Sequence, residues 1–279
     1  MSKLAFVFPG QGAQKVGMGK DFYDNYDVAK KMFKEADEAL GYSIMKMCFE
    51  GPEEDLKLTA NTQPAILTIS CIANEILKEN GIQPEITGGH SLGEYSALVA
   101  AGVLNFQDAV ALVHKRGSYM QEAVPVGEGG MAAIIGVDRD KIVEVCQQVS
   151  AESPVQAVNF NCPGQIVIAG ATKGVELAVE LDKVTISDAK IPVVANVSAE
   201  ILTKAEDIKA SLVAQAASPV LWEDCVARMK EFGADVLLEA GPGKTLCGFN
   251  RRIDKTITSL NVEDVASLEK SLDYFKEVR

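Results

Sequence analysis

Histidine is nearly absent from this chain: there are two in 279 residues, His90 and His114. That scarcity excludes a multi-histidine metal site and leaves any nucleophile at most two imidazoles to draw on. Basic residues are also few, 27 against 39 acidic ones, for a net charge of −12. A nucleic-acid binder would show a basic face, so no nucleic-acid partner is expected. The six cysteines (48, 71, 146, 162, 225 and 247) form no Cys-x-x-Cys pair and no His/Cys cluster. They read as reduced, mostly buried thiols, with no metal site. Long apolar runs are missing too. Leu4–Phe8 is far too short for a signal-peptide core or a membrane span, so a cytoplasmic protein with no membrane partner is expected. Without secretion, the sequon Asn196-Val197-Ser198 carries no glycosylation meaning.

What is present is an ordinary globular composition, 47% hydrophobic and 24% charged, long enough for one large core plus a small satellite. Leu4–Phe8 is a continuous apolar run closed by Pro9-Gly10, the pattern of a buried parallel strand. Helical patterns cover 27–40, 64–79, 92–103 and 108–123, with a short strand over 84–89. This alternation predicts an α/β sheet with crossovers. From Gly129 the order becomes strand 131–136, helix 138–149, strands 155–160 and 165–169, then helix 174–181. That is five of the six elements of a ferredoxin-like unit, one strand short. Ile191–Ala195 reads as a return to the main sheet. It is followed by helices over 204–216, 222–232 and 245–253 and a strand over 235–239. The division expected is 1–127 with 190–279 as the large subdomain, and 128–189 as the small one.

Gly89-His90-Ser91-Leu92-Gly93 fits the Gly-x-Ser-x-Gly nucleophile elbow, with a strand before it and a helix after. The serine oxygen then lies at a helix N-terminus, where free N–H groups and the dipole favour negative charge. The Leu92 N–H is the natural first donor of an oxyanion hole, and Gln11 in the Pro9–Gln14 loop is a candidate second. Arg116 reads either as a solvated surface residue or as a bidentate clamp for a substrate carboxylate. His114 lies two residues earlier, on another helix face, and reads as structural. Gly241–Thr245 ends like a phosphate-binding loop, but the required first glycine is Leu238, so it reads as a tight turn opening a helix.

Taken together, Phe6–Gly12, Thr62–Pro64, Gly89–Tyr95, Arg116-Gly117, Met131–Gly136, Val158–Gln165 and Glu239–Lys244 resemble the malonyl-CoA:acyl carrier protein transacylases of type II fatty acid synthesis. The resemblance spans nearly the whole chain. It implies an α/β-hydrolase-like large subdomain with a parallel sheet and an inserted ferredoxin-like small subdomain. It implies Ser91 as the nucleophile that takes malonyl from malonyl-CoA and passes it to the carrier's phosphopantetheine thiol. It further implies that Gln11 and Leu92 amides form the oxyanion hole, that Arg116 pairs with the malonyl carboxylate, and that the Gln215 carbonyl orients the catalytic histidine. No cofactor or metal is implied, and the protein is expected to be a monomer. One departure stands out: the family's histidine segment has no counterpart between Gly170 and Leu181, where the sixth strand is also wanting.

Two other readings share the elbow. A serine esterase or lipase needs a histidine late in the chain, and none follows His114. A scaffold without a base would bind coenzyme A or a carrier and transfer nothing. The resemblance implies an acidic carrier protein, for which Lys244, Arg251 and Arg252 are the candidate basic contacts.

Overall fold

The computed structural model describes residues 3–123, 131–136, 139–149, 156–169, 180–181, 183–215 and 218–278. Its strands are β1 (Lys3–Phe8), β2 (Ile86–Gly89), β3 (Met131–Ile135), β4 (Gln156–Cys162), β5 (Gln165–Ala169), β6 (Val193–Val194), β7 (Ile201–Leu202), β8 (Ala234–Ala240) and β9 (Thr258–Val262). Its helices are α1 (Lys20–Asn25), α2 (Asp27–Leu40), α3 (Ile44–Glu50), α4 (Glu53–Lys57), α5 (Thr59–Glu79), α6 (Leu92–Ala100), α7 (Phe106–Ala123), α8 (Arg139–Val149), α9 (Ala205–Gln215), α10 (Trp222–Glu231), α11 (Thr245–Ile253) and α12 (Val265–Val278).

The large sheet runs β7-β6-β2-β1-β8-β9 and is parallel except for β7. β1 sits at its centre because both of its faces are apolar. Leu4, Phe6 and Phe8 pack into one helical layer, while Ala5 and Val7 pack into the other. Each fully buried Leu, Phe or Val contributes about 1.5–3 kcal/mol, so an unbroken apolar run is stable only where it is covered on both sides. The carboxyl ends of β1, β2 and β8 therefore lie along one edge. The Pro9 loop, the serine elbow and the Gly241–Lys244 turn all emerge there, as ligand-binding loops do in open parallel sheets.

Helix α5 is buried on nearly every face, from Thr62 to Leu77. Pro64 lies inside it and has no N–H to give to the Ala60 carbonyl four residues back. His114 of α7 donates from Nδ1 to that carbonyl at 2.9 Å, and its ring lies against Tyr42. The structural reading of His114 thus has a specific cause. It fills a hydrogen bond that a proline removed.

The small sheet is antiparallel in the order β3-β5-β4, with α8 packed on it through Ile142, Cys146, Phe160 and Ile166. Three strands and one helix of the expected unit are thus in place among the described residues. The helix expected over 174–181 lies outside them, apart from Glu180 and Leu181. The small sheet joins the large subdomain through paired backbone bonds. Phe160 N–H donates to the Val220 carbonyl, and Val220 N–H to the Val158 carbonyl, both at 2.8 Å.

Several elements depart from the sequence expectation. The elbow helix stops at Ala100, short of Val103, and β2 begins at Ile86. β7, β9, α1, α3, α4 and α12 were not anticipated. β7 is two residues long, and α1, α3 and α4 are only five to seven residues long, so their periodicity is weak. All six cysteines are buried and unpaired, as their spacing suggested.

Replacing His114 with phenylalanine is expected to cost about 1 kcal/mol of stability, read by chemical denaturation, because the Ala60 carbonyl loses its partner. The chemistry at Ser91 should be untouched. Lost chemistry with intact stability would instead make His114 a base.

Candidate active site

The elbow forms because two glycines and one asparagine make a strained serine possible. Ser91 has φ 51° and ψ −106°, a conformation that L residues adopt only when the surroundings hold them there. At Gly89 a Cβ would collide with the backbone of Gly93, and at Gly93 it would collide with the Phe8 carbonyl. Strand, turn and helix can approach this closely only without those side chains. Asn196, fully buried between β6 and β7, then clamps the turn. Its Nδ2 donates to the Gly89 carbonyl and its Oδ1 accepts from Ser91 N–H, both at 2.7 Å. Burial also disposes of the sequon: Asn196 is a structural clamp.

Ser91 leads directly into α6, with Leu92 as the first helical residue. Among the described residues no hydrogen bond uses the backbone N–H of Leu92 or of Gln11. His90 N–H donates to the Phe8 carbonyl at 3.0 Å, which brings the end of β1 and the Gln11 loop against the elbow. Both expected oxyanion donors are therefore N–H groups unused by the described residues, one in the loop after β1 and one at the start of α6, at the same sheet edge.

The two readings of Arg116 are separated by burial. The residue is 5% exposed, so it is no solvated surface group. Nη1 donates to Gln63 Oε1 at 2.9 Å, and Nη2 donates to Ser91 Oγ at 3.2 Å and to Gln215 Oε1 at 3.5 Å. The guanidinium also lies 5.4 Å from the centroid of the Tyr95 ring. Gln63 is itself fixed, since its Nε2 donates to Met120 Sδ at 3.2 Å. Among the described residues no carboxylate lies within ion-pair distance of Arg116. A buried cation whose partners are all neutral costs several kcal/mol until an anion arrives.

Gln215 reaches the site with its side chain. Nε2 donates to Glu94 Oε2 at 2.6 Å and to the Ser91 carbonyl at 3.3 Å. The expectation that its backbone carbonyl orients a histidine finds no imidazole to act on in this chain. His114 is bound to Ala60, and His90 Nε2 pairs with Asn161 Oδ1 at 2.7 Å. Desolvation holds the His90 pKa below the usual imidazole value, with the Asn161 bond working the other way. Lys244, Arg251 and Arg252 are exposed on and beside α11. Arg252 also leans on the Cys162 thiol of the small sheet.

Sequence reasoning assigned no role to Gln63, Glu94, Asn161 or Asn196. Gln63 lies in the Thr62-Gln-Pro64 stretch, and its position beside a mid-helix proline was the available signal. Glu94 is 2% exposed, an acidic residue within an otherwise small and apolar helix. Its carboxylate accepts from Asn196 N–H at 3.1 Å and from Gln215, yet burial dominates and pushes its pKa from 4.5 up to about 7.

A serine elbow on a parallel sheet, with a buried arginine aimed at the nucleophile, defines an acyl-transfer site. The acyl transferase domain model matches residues 5–267, and the chain belongs to that family. The malonyl CoA-acyl carrier protein transacylase of Bacillus subtilis (strain 168) is 44% identical over 99% of this chain and 98% of its own length. The protein of the same name from Escherichia coli (strain K12) is 41% identical over 98% of this chain and 100% of its own. The solved malonyl CoA-acyl carrier protein transacylase of Clostridium perfringens ATCC 13124 superposes with a TM-score of 0.95 at 39% identity, over 99% of this chain and 98% of that one. A second solved structure is a malonyl-transacylase in complex with its type II PKS acyl-carrier protein. It gives 0.94 at 39% identity, over 98% of this chain and all of that one. The alignment with the Bacillus subtilis relative runs over 312 residues against 279 here, so that protein carries positions this chain lacks.

Glu94 gives a signed pH dependence. Its folded pKa is raised, so its contribution to stability is complete below 4.5 and is lost as pH rises through about 7. Denaturant midpoints of wild type and Glu94→Gln, compared across that window, should diverge with the wild type losing ground as pH rises. A parallel pair of curves would show that Glu94 is not the group that titrates.

Proposed function

We infer that the chain moves a malonyl group from malonyl-CoA to the phosphopantetheine thiol of an acyl carrier protein, through an ester on Ser91, in fatty acid synthesis. The observation that carries this reading is Arg116: a buried guanidinium with neutral protein partners, 3.2 Å from the nucleophile. An acyl group that ends in a carboxylate supplies the missing anion while presenting its thioester carbonyl to Ser91. An acetyl group leaves the cation without a directly bound anion in the same pocket, so discrimination against it is built into the site.

In the first half-reaction Ser91 Oγ attacks the thioester carbonyl. The oxyanion is held by the N–H groups of Leu92 and Gln11, and coenzyme A leaves as its thiol. In the second, the carrier thiol attacks the malonyl ester and Ser91 is released. Exchange of thioester for ester and back needs neither electrons nor a further cofactor. The serine proton has no imidazole partner in this chain. Arg116 instead stabilises the alkoxide form directly, and solvent base takes the proton. The acylation rate should therefore climb with pH through the range where an imidazole-dependent reaction levels off. A plateau near the imidazole pKa would overturn this step.

The nucleophile, clamp and oxyanion donors all come from one chain, so the site needs no residue of a second copy, and we propose a monomer. We place the reaction in the cytoplasm. No helix among the described residues is long and apolar enough to cross a membrane.

The intact mass after incubation with malonyl-CoA tests the assignment. A transferase gains one malonyl group that Ser91→Ala abolishes, a hydrolase releases malonate, and a binding scaffold gains no mass. Carrier docking is tested by Arg251→Glu, chosen over Arg252 because Arg252 also touches Cys162. KM for the carrier should rise several-fold with KM for malonyl-CoA unchanged, whereas equal effects on both would reject the docking surface.

A further inference from the structure

We propose that Glu94 is the resident counter-anion of Arg116, and that the malonyl carboxylate displaces its charge, so that substrate binding is coupled to protonation of Glu94. The inference rests on the malonyl reading above and concerns the acid that the mechanism leaves unused.

The geometry is a relay of three side chains. Glu94 Oε2 accepts from Gln215 Nε2 at 2.6 Å, and Gln215 Oε1 faces Arg116 Nη2 at 3.5 Å. A carboxylate can only accept, so it turns the Gln215 amide with its N–H inward and its oxygen toward the guanidinium. Glu94 is thus coupled to Arg116 across one amide, close enough for their charges to interact and too far for an ion pair. Until a substrate carboxylate arrives, it is the nearest compensation for the cation among the described residues.

Among the described residues the surroundings leave no other charge to take over that role. Against Glu94 stand Arg116 from α7, Tyr95 on its own helix and Cys225 from α10, beyond which lies Asp224. Asn196 and Gln215 approach as neutral donors. Burial pushes both the Tyr95 hydroxyl and the Cys225 thiol up, which keeps them neutral. Among the described residues Arg116 is therefore the one cation that favours ionised Glu94. When a second carboxylate settles on Arg116, two anions share one buried cation in a low-dielectric site. The weaker claimant takes a proton. The substrate carboxylate touches the guanidinium directly, whereas Glu94 acts through an amide. Glu94, already poised near neutrality, takes its proton from solvent.

Calorimetry of malonyl-CoA binding to Ser91→Ala, in buffers of different ionisation enthalpy near pH 7, reads the proton directly. Acetyl-CoA controls for the phosphates of coenzyme A. The expected result is uptake of roughly half a proton with malonyl-CoA beyond that with acetyl-CoA, and malonyl affinity that falls by up to about tenfold per pH unit above 7. Adding Glu94→Gln should abolish the excess uptake and tighten malonyl binding at pH 8, leaving acetyl-CoA unaffected. Equal uptake with both thioesters, or excess uptake that survives Glu94→Gln, overturns the proposal. If that variant does not fold, infrared difference spectra of the Ser91→Ala protein decide: a buried carboxylic-acid C=O band should appear with malonyl-CoA, and its absence rejects the idea. Malonyl-CoA that binds no better than acetyl-CoA defeats the malonyl reading itself. Preferential malonyl binding without a proton defeats only the coupling.

Discussion

A positive charge is held out of water beside the nucleophile, and most of the site exists to tolerate it. Arg116 can be buried because α5 and α7 pack closely enough for Gln63 to meet it, and because α9 delivers Gln215 from the other side. At Gly117 a Cβ would come within 2.5 Å of the Thr59 carbonyl, so the close helix contact itself depends on the residue after the arginine. Pro64 and His114 belong to the same contact. The proline opens a carbonyl in α5 and the histidine of α7 closes it, which pins the two helices together two residues before the clamp.

The elbow is the second half of this arrangement. Its strain is sustained by Asn196, which comes from the far side of the inserted small subdomain, and by Glu94, which bonds the Asn196 backbone. Nucleophile, clamp and acid are therefore linked through two amides, Asn196 and Gln215. Moving any one of these side chains moves the others' hydrogen-bond partners. Electrostatics and backbone geometry are here one problem with a shared solution.

The elbow and the central strand were legible because each is written in local sequence. Gly89, Ser91 and Gly93 allow one kind of turn, and Leu4–Phe8 tolerates only a two-sided core. The large parallel sheet, the small antiparallel one and the helix after Gly243 followed from the same patterns. What escaped was relational. Nothing near Asn196 announces that it clamps a serine over a hundred positions earlier, and its sequon pointed elsewhere. The burial of Glu94 becomes visible only once α9 and the β6–β7 connection supply Gln215 and Asn196 against it. Arg116 stayed ambiguous because burial is decided by neighbours in space. β7 and the short helices were missed because tertiary pairing, and no period of their own, holds them in place.

The small subdomain leaves the large one after α7 and returns through Glu180 and β6, and both ends are tied down. Glu180 binds Lys115 Nζ at 2.6 Å, accepts from Tyr119 of α7 at 3.2 Å, and Leu181 is buried in the main core. β6 is fixed by its pairing with β2. The insert is thus a loop spliced between two anchored points, and the entropy of closing such a loop changes only slowly with its length. Away from its contacts with the large subdomain, its length is in this sense a free variable of the architecture. Residues can be added to or removed from the insert away from Asn161, which pairs with His90, and from the strand that meets Val220, without shifting the frame that sets Ser91 against Arg116.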